Sequence, residues 1–508
     1  MQLLSSRQSR ELDKISASKF EIPGKTLMGN AGNQIAKTVL KYYSDAEKYR
    51  ILIICGKGNN GGDGFAAALS LKEFNPQVFI IYPQDTLAVD SNHYYRECIG
   101  NDINIQFREF PPELHEFNLI IDAMLGIGIK GKVRSPVSEW ISWINHQQAD
   151  VISIDIPSGL NADTGHLGHD AVKANITVTM GYEKTGMQFH PGKDQCGEII
   201  TADIGFPELE KPLSGIHWNH YDEENAREFL VPPQKDSHKY SQGKVLVIAG
   251  SKGMTGAAVL TGVSALKCGA GLVKCCVPES LNPIFESTFI EGISVPCTDN
   301  DSGVLGLNNY EEIEKEIDWC DSVIIGPGLG SNKDTHDLVG RVLESCSKPV
   351  IVDADALSSL KNNMDINSLS EQSILTPHLG EFGKMGNQSI LDVKDNFISI
   401  IEEFMVQYEG TLVLKTTPVS VVHNGQGSLN TSGNQGLASA GTGDVLAGCI
   451  GSFMAQGLAP FDAGKLGVFI HGKAADSLMV QTGYRGMTAT EVINKIPTVI
   501  RQYETGSL

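Results

Sequence analysis

The stretch from Ser432 to Gly448, SGNQGLASAGTGDVLAG, sets a single acid, Asp444, among five glycines and directly before an apolar run. Val445, Leu446, Ala447, Cys449, Ile450, Phe453 and Met454 are apolar almost all the way round a helical wheel, which predicts a buried helix starting near Asp444. The first N–H groups of such a helix lack intrahelical partners and form the positive end of its dipole. Glycines leading into them let a ligand approach the backbone, so the segment reads as an anion site. An acid there repels a phosphate unless it has chemical work, such as accepting the proton of a hydroxyl that attacks the phosphate. Capping of the helix by Asp444 is the plainer alternative. In the same half, VIIGPGLG places Gly326, Gly328 and Gly330 after an apolar run, ILTPHLGEFGKM places His378 and Glu381 beside a proline and two glycines, and TLVLKTTPVSVV places Lys415 after another apolar run.

The first half carries a different set. In CGKGNNGGDGFAAALSL, the segment Asn59–Gly64 forms a turn into an Ala-rich helix, and its backbone N–H groups and Asn amides suit a phosphate. It is no Walker loop, because no Lys-Ser/Thr follows. IIDAMLGIGIKGKV ends a second run with Asp122 and a loop of Gly126, Gly128 and Gly131 with Lys130 and Lys132. SIDIPSGLNADTG ends a third with Asp155 and Ser158. If these runs are neighbouring strands, Asn60, Asp122 and Ser158 meet, and their oxygens suit a hard, weakly held cation such as potassium. Taken singly, each is more often a turn-stabilising residue. Asp155 faces the same crevice, where it can shuttle a proton.

The elements that must position these groups are short. RILIIC, FNLIIDA, ADVISIDI, GKVLVIAG, DSVIIG and KPVIVDA are Ile- and Val-rich, and each is too short for a helix. They predict buried parallel strands alternating with helices, with sites at the carboxyl ends of the strands. The chain has 508 residues, and a polar, Pro-containing stretch between residues 206 and 240 separates two α/β blocks. A net charge of −20 argues against binding nucleic acid or an anionic membrane, and no apolar run reaches the length of a membrane span. The ten cysteines form no C-x-x-C pair; Cys55, Cys268, Cys275, Cys276 and Cys449 sit in apolar surroundings and read as small buried hydrophobes. MQLLSSRQSRELDK lacks the apolar core of a signal peptide, so the cytoplasm is the expected location.

GNNGGDG, DAMLGIG and DIPSGLNADTG, in that order, resemble the N-terminal domain of the NAD(P)H-hydrate epimerases. The resemblance implies a Rossmann-like fold and interconversion of the R and S forms of hydrated NADH or NADPH. It implies substrate contacts from Asn59, Asn60, Gly61, Gly62 and Asp63, and from Gly126, Ile127, Gly128, Ile129, Lys130, Gly131 and Lys132. It places Asp155 at the reacting ring and Asn60, Asp122 and Ser158 on potassium. The hydrated carbon is a hemiaminal, so a carboxylate at Asp155 is suited to assist ring opening and reclosure.

TPHLGE and GTGDVLAG, in that order, resemble the ADP- or ATP-dependent NAD(P)H-hydrate dehydratases, a branch of the ribokinase-like kinases. That resemblance implies a hydrate site of Ala257, Gly328, His378 and Asp444. It implies a nucleotide site of Lys415, Thr416, Thr417, Pro418, Val419 and Gly443. Asp444 then acts as the base of a kinase-like step followed by elimination, and the capping alternative recedes. Magnesium is expected with the nucleotide, Glu381 being a candidate ligand. His378 reads equally as a hydrogen-bonded turn residue. The family carries Lys-Gly where this chain has Lys415-Thr416, which bears on the loop geometry.

The expected architecture is therefore α/β: a Rossmann-like three-layer domain at 1–212, a linker at 213–234 and a ribokinase-like domain at 235–508. The expected function is repair of hydrated NADH and NADPH by epimerisation and ADP-dependent dehydration, ATP being the alternative donor. The partners are small molecules, and a homo-oligomer is expected. Two rival readings stay open: a vitamin or sugar kinase fused to a nucleotide-binding module, and a first block that binds hydrated dinucleotide without chemistry.

Overall fold

Ile- and Val-rich runs become parallel strands because both of their faces can be buried under helices. The computed structural model describes residues 1–43, 48–113, 117–129, 131–363 and 366–505. Lys130, expected at the substrate, lies outside the described residues. The chain forms two units, Met1–Trp218 with Lys394–Ile398, and Asn219–Val393 with Ser399–Leu508.

The strands of the first unit are β1 (Gln2–Leu4), β2 (Ile51–Cys55), β3 (Gln77–Ile80), β4 (Asn104–Phe107), β5 (Leu119–Ala123), β6 (Asp150–Ile154), β7 (Ile176–Met180), β8 (Glu183–Lys184) and β9 (Glu198–Ala202). Seven of them make a parallel sheet in the order β4-β3-β2-β5-β6-β7-β9. Alternate residues of β2 enter different cores. Ile51, Ile53 and Cys55 pack with the helices Gly24–Tyr42 and Asn59–Ser70, whereas Leu52 and Ile54 pack with Trp140, Ile141 and Ile144 of the helix Val137–Asn145. Helices thus cover both faces in a three-layer, Rossmann-like arrangement. The strand order reverses between β2 and β5, and the register sets Cys55 against Ala123 and Asp122 against Ser153.

Residues 213–234, expected to be a linker, instead carry β10 (His217–Tyr221) and a helix Glu223–Phe229. The Asp222 carboxylate accepts from the Glu224 and Asn225 N–H groups, capping that helix. Tyr221, Ala226 and Leu230 join the core of the second unit, and Lys473 Nζ meets Glu223 Oε1 at 2.6 Å. Leu213, Ile216 and Trp218 are buried as well, so the stretch carries enough apolar side chains, together with the Asp222 capping box, to fold rather than link.

The second unit contains β11 (Lys244–Ile248), β12 (Leu272–Pro278), β13 (Ile293–Cys297), β14 (Ser322–Ile325), β15 (Val350–Val352), β16 (Ser373–Leu375), β17 (Thr411–Leu414), β18 (Ser420–His423) and β19 (Gln426–Asn430). The order β13-β12-β11-β14-β15-β16-β17 is parallel, and β18 and β19 continue it antiparallel. The helix Thr442–Ala455 is buried from Val445 to Ala455 and packs with Val245 and Val247 of β11. All ten cysteines are unpaired and nine are buried. Among the described residues, no helix is long and apolar enough to cross a membrane.

Candidate active sites

In the first unit a cavity of about 980 Å³ opens at the carboxyl ends of β2, β5 and β6, the point at which the strand order reverses. Asn59, Asn60 and Asp63 line it from the first turns of the helix Asn59–Ser70, which begins where the sequence predicted a turn; Gly126, Ile127, Gly128, Ile129 and Lys132 line it from the loop after β5; Asp155 follows β6. Gly61, Gly62 and Gly131 do not form its wall. A Cβ at Gly61 would stand 2.0 Å from the Gly56 carbonyl oxygen, and one at Gly62 would stand 2.5 Å from Met28 Sδ. Those two glycines let the helix seat against its neighbours.

Asn60 and Ser158 converge on Leu125, and Ser158 in turn binds Asp122. The Leu125 carbonyl accepts from Asn60 Nδ2 at 3.0 Å and from Ser158 Oγ at 3.3 Å, while the Leu125 N–H donates to Ser158 Oγ at 2.8 Å. Asp122 is fully buried. Its Oδ1 accepts from Ser158 Oγ (2.6 Å) and the Met124 N–H, and its Oδ2 from the Ser158 N–H (2.8 Å) and Ser153 Oγ. Burial pushes the Asp122 carboxyl up, and these hydrogen bonds oppose the push. All four acceptor positions of Asp122 are thereby filled. Asn60 Oδ1 accepts no hydrogen bond among the described residues.

Asp155 adopts a left-handed conformation, φ 64°, which aspartate tolerates better than most residues. Its N–H donates to the Val178 carbonyl and its Oδ1 accepts from the Met180 N–H at 3.0 Å. The same oxygen pairs with Lys184 Nζ, whose side chain is 3% exposed. Lys184 Nζ also donates to Thr179 Oγ1 and the Tyr182 carbonyl. Sequence reasoning missed Lys184 and also Asp13, which reaches the cavity from the helix Ser6–Lys19. Desolvation, reinforced by the Asp155 charge and opposed by Lys184, pushes Asp13 up to about 6. Desolvation pushes Asp63 well above the usual carboxylate range, with Asp155 and Asp13 adding to it.

In the second unit Asp444 is the third residue of the helix Thr442–Ala455, and the N-cap is Gly441 at φ 85°. The capping alternative for Asp444 therefore fails: its carboxylate accepts no hydrogen bond among the described residues. Burial, then the charge of Asp353, pushes Asp444 up to about 6; Lys415 pulls it down and Asp355 adds to the push. Lys415 Nζ pairs with Asp353 Oδ1 at 2.6 Å, and a Cβ at Gly443 would stand 3.4 Å from that ammonium. Lys415 thus lies beside the first turn of the helix that carries Asp444. Asp353 and Asp355 follow β15, a strand-end position like those of Asp122 and Asp155, yet they escaped the sequence reading. Asp353 Oδ1 also accepts from Thr376 Oγ1, and Asp355 Oδ2 accepts from the Gly330 N–H.

His378 is the N-cap of the helix Leu379–Met385. Its Nδ1 accepts from the Gly380 and Glu381 N–H groups, and Glu381 Oε2 accepts from the His378 N–H at 2.8 Å. Glu381 is therefore engaged in a reciprocal cap. The Lys415 N–H donates to the Pro377 carbonyl, which sets His378 beside Lys415. Ala257 and Gly328 also adjoin, a Cβ at Gly328 falling 2.9 Å from that of Ala257. Lys415 to Val419 form the turn between β17 and β18, with a cis Thr417–Pro418 peptide. Thr416 Oγ1 donates to the Pro418 carbonyl at 2.6 Å, so its side chain folds into the turn, and its φ is not positive. The backbone there does not require glycine. A further group that the sequence did not flag, His471, is buried with Nε2 unpartnered; burial pushes it down to about 4.

Residues 245–498 match the family model of NAD(P)H-hydrate dehydratase, and residues 24–186 match that of the YjeF-related protein N-terminus. The bifunctional NAD(P)H-hydrate repair enzyme Nnr of Moorella thermoacetica is 32% identical over 99% of this chain and 97% of its own. The protein of the same name from Escherichia coli is 31% identical over 93% of this chain and 89% of its own. A ribokinase-like superfamily protein from Enterococcus faecalis superposes with a TM-score of 0.51 at 22% identity, covering 58% of this chain and 99% of that one, a likeness of fold. Matched along nearly its whole length, the chain belongs to the family of bifunctional NAD(P)H-hydrate repair enzymes.

Proposed function

We propose that the first unit interconverts the R and S forms of hydrated NADH and NADPH. The second unit then removes water from the S form at the expense of ADP, releasing AMP and phosphate. The observation that carries this reading is Asp444: a half-buried carboxylate without a hydrogen bond among the described residues, in the first turn of a helix that lies beside the Lys415 ammonium. Asp444 takes the proton of the added hydroxyl, whose oxygen attacks the terminal phosphate of the nucleotide. Lys415, the Gly443 backbone and the turn to Val419 hold that nucleotide and stabilise the developing charge. Ala257, Gly328 and His378 seat the hydrate. Expulsion of phosphate with loss of a neighbouring proton restores the dihydronicotinamide.

Asp353 and Asp355 would hold magnesium, each keeping one carboxylate oxygen (Oδ2 and Oδ1) clear of hydrogen bonds among the described residues, whereas Glu381 Oε2 caps its helix and Oε1 lies 3.5 Å from His378 Nε2. The ion, when bound, neutralises phosphate charge. In the first unit the oxygens of Asn60, Ser158 and the Leu125 carbonyl fit potassium, with the Asp122 charge behind Ser158 rather than in direct contact. The supporting observation is that Asn60 Oδ1 accepts no hydrogen bond among the described residues, while the Leu125 carbonyl that Asn60 binds also meets Ser158, the partner of Asp122.

The test mixes the full-length protein with hydrated NADH of mixed epimers and either ADP or ATP, and follows the reduced-nicotinamide absorbance. Recovery of both epimers with release of AMP and phosphate is expected with ADP. A phosphorylated product that persists would instead support a small-molecule kinase. Recovery of one epimer alone would reduce the first unit to a binding module.

A further inference from the structure

The cavity of the first unit holds more acid than binding requires. Asp13 comes from the helix Ser6–Lys19, Asp63 from the helix Asn59–Ser70, Asp155 from the end of β6, and Lys184 from β8. Four separate elements thus bring three carboxyl groups and one ammonium to one cavity. Lys184 is committed to Asp155 and to the Thr179 and Tyr182 oxygens, so it neutralises one carboxylate and no more. The other charged side chains on the wall are Arg10, Lys14, Lys57, Asp90, Lys132 and Arg134. Arg10 donates to the Ile127 carbonyl.

A hemiaminal that changes hand by ring opening needs two proton transfers at opposite ends of one bond. Its hydroxyl must lose a proton and its ring nitrogen must gain one. One carboxylate cannot serve both ends at once. We propose that Asp13 is a second catalytic residue of epimerisation, the acid that protonates the ring nitrogen while the Lys184-paired Asp155 takes the hydroxyl proton. This rests on the epimerase reading above. In the opening step the O–H pair becomes the second bond of an aldehyde. The carbon–nitrogen bond breaks with its electrons on nitrogen, and the Asp13 proton follows them. Rotation about the adjacent carbon–carbon bond presents the other face. Closure reverses each transfer, returning the proton to Asp13 and the hydroxyl proton from Asp155, so no co-reactant is consumed. Asp13 is matched to this task because desolvation and the Asp155 charge bring it to about 6, near the working pH. Burial pushes Asp63 up, with the charges of Asp155 and Asp13 adding to it and Lys184 opposing it.

Asp13→Asn and Asp13→Glu, in the full-length protein, test this. The readout is conversion of purified R-hydrate to the S form, with spontaneous exchange subtracted. ADP-dependent dehydration of the S-hydrate runs in parallel as a measure of the intact second unit, and circular dichroism checks the fold of the first. Asp13→Asn is expected to lower kcat for epimerisation by about 10²- to 10⁴-fold with KM within a few-fold. Asp13→Glu is expected to recover part of the loss. Wild-type kcat should fall as the pH rises above about 6, where Asp13 loses its proton, and the residual Asp13→Asn rate should lack that limb. A wild type that epimerises beside an Asp13→Asn protein of equal kcat overturns the role of Asp13. So does a loss confined to KM, or one that leaves the pH limb in place. A wild type that does not epimerise overturns the epimerase reading itself.

Discussion

Replacing Asp444 by asparagine should slow dehydration severely and yet make the second unit more stable. The native carboxyl sits at about 6 against an ordinary 3.8, chiefly because burial removes it from water and secondly because Asp353 is near. A displacement of about two pH units corresponds to ~3 kcal/mol between the protonated and charged forms. The group is only half buried and stands in the first turn of a helix, where the dipole favours a negative charge by up to about 1 kcal/mol. A net penalty of about 1–2 kcal/mol remains. A carboxylate whose native pKa lies above its unfolded value destabilises the fold once it is charged. The penalty sets in as the pH rises from about 4 to about 6 and is complete above that. Asparagine keeps the shape and removes the charge. The variant should therefore melt about 2–5 °C higher than wild type at pH 8 and at the same temperature at pH 4. Dehydration should fall by about 10²-fold or more. Calorimetry of both proteins at the two pH values, with the absorbance assay alongside, decides the matter. An equal or lower melting temperature at pH 8, or a gain as large at pH 4, would refute the account of Asp444 as a strained, desolvated base.

The dehydration rate should rise with pH through about 6 as Asp444 ionises, and Asp353→Asn should move that inflection to lower pH by removing the like charge; a pH–rate series that shifts upward speaks against it. Thr416→Gly removes the hydroxyl that closes the turn between β17 and β18, so a loss of about 1–2 kcal/mol and a few-fold rise in KM for ADP are expected, read by denaturant unfolding and initial rates. Potassium should speed epimerisation in the wild type when it replaces tetramethylammonium, and Ser158→Ala should be indifferent to the exchange; a wild type insensitive to the cation removes the site at Asn60, Asp122 and Ser158.

Much of this protein is legible in its chain. The Ile- and Val-rich runs are parallel strands because nothing else of that length buries both faces. Asp122, Asp155, Lys415 and the Gly441–Asp444 turn lie next to such runs in sequence, so their place at strand ends and at a helix start follows from local order. What lies beside what across the sheet does not. Lys184 pairs with Asp155 from a two-residue strand, Asp13 approaches from a helix more than a hundred residues away, and Asp353 and Asp355 reach Asp444 from β15. The polar stretch 213–234 folds because Tyr221, Ala226 and Leu230 find a core supplied by distant helices. Residue type and spacing fix what a side chain can do and which element carries it. Whether a carboxylate is charged, paired or poised depends on its desolvation and on the charges that the packed sheet brings against it, and those exist only once the chain has folded.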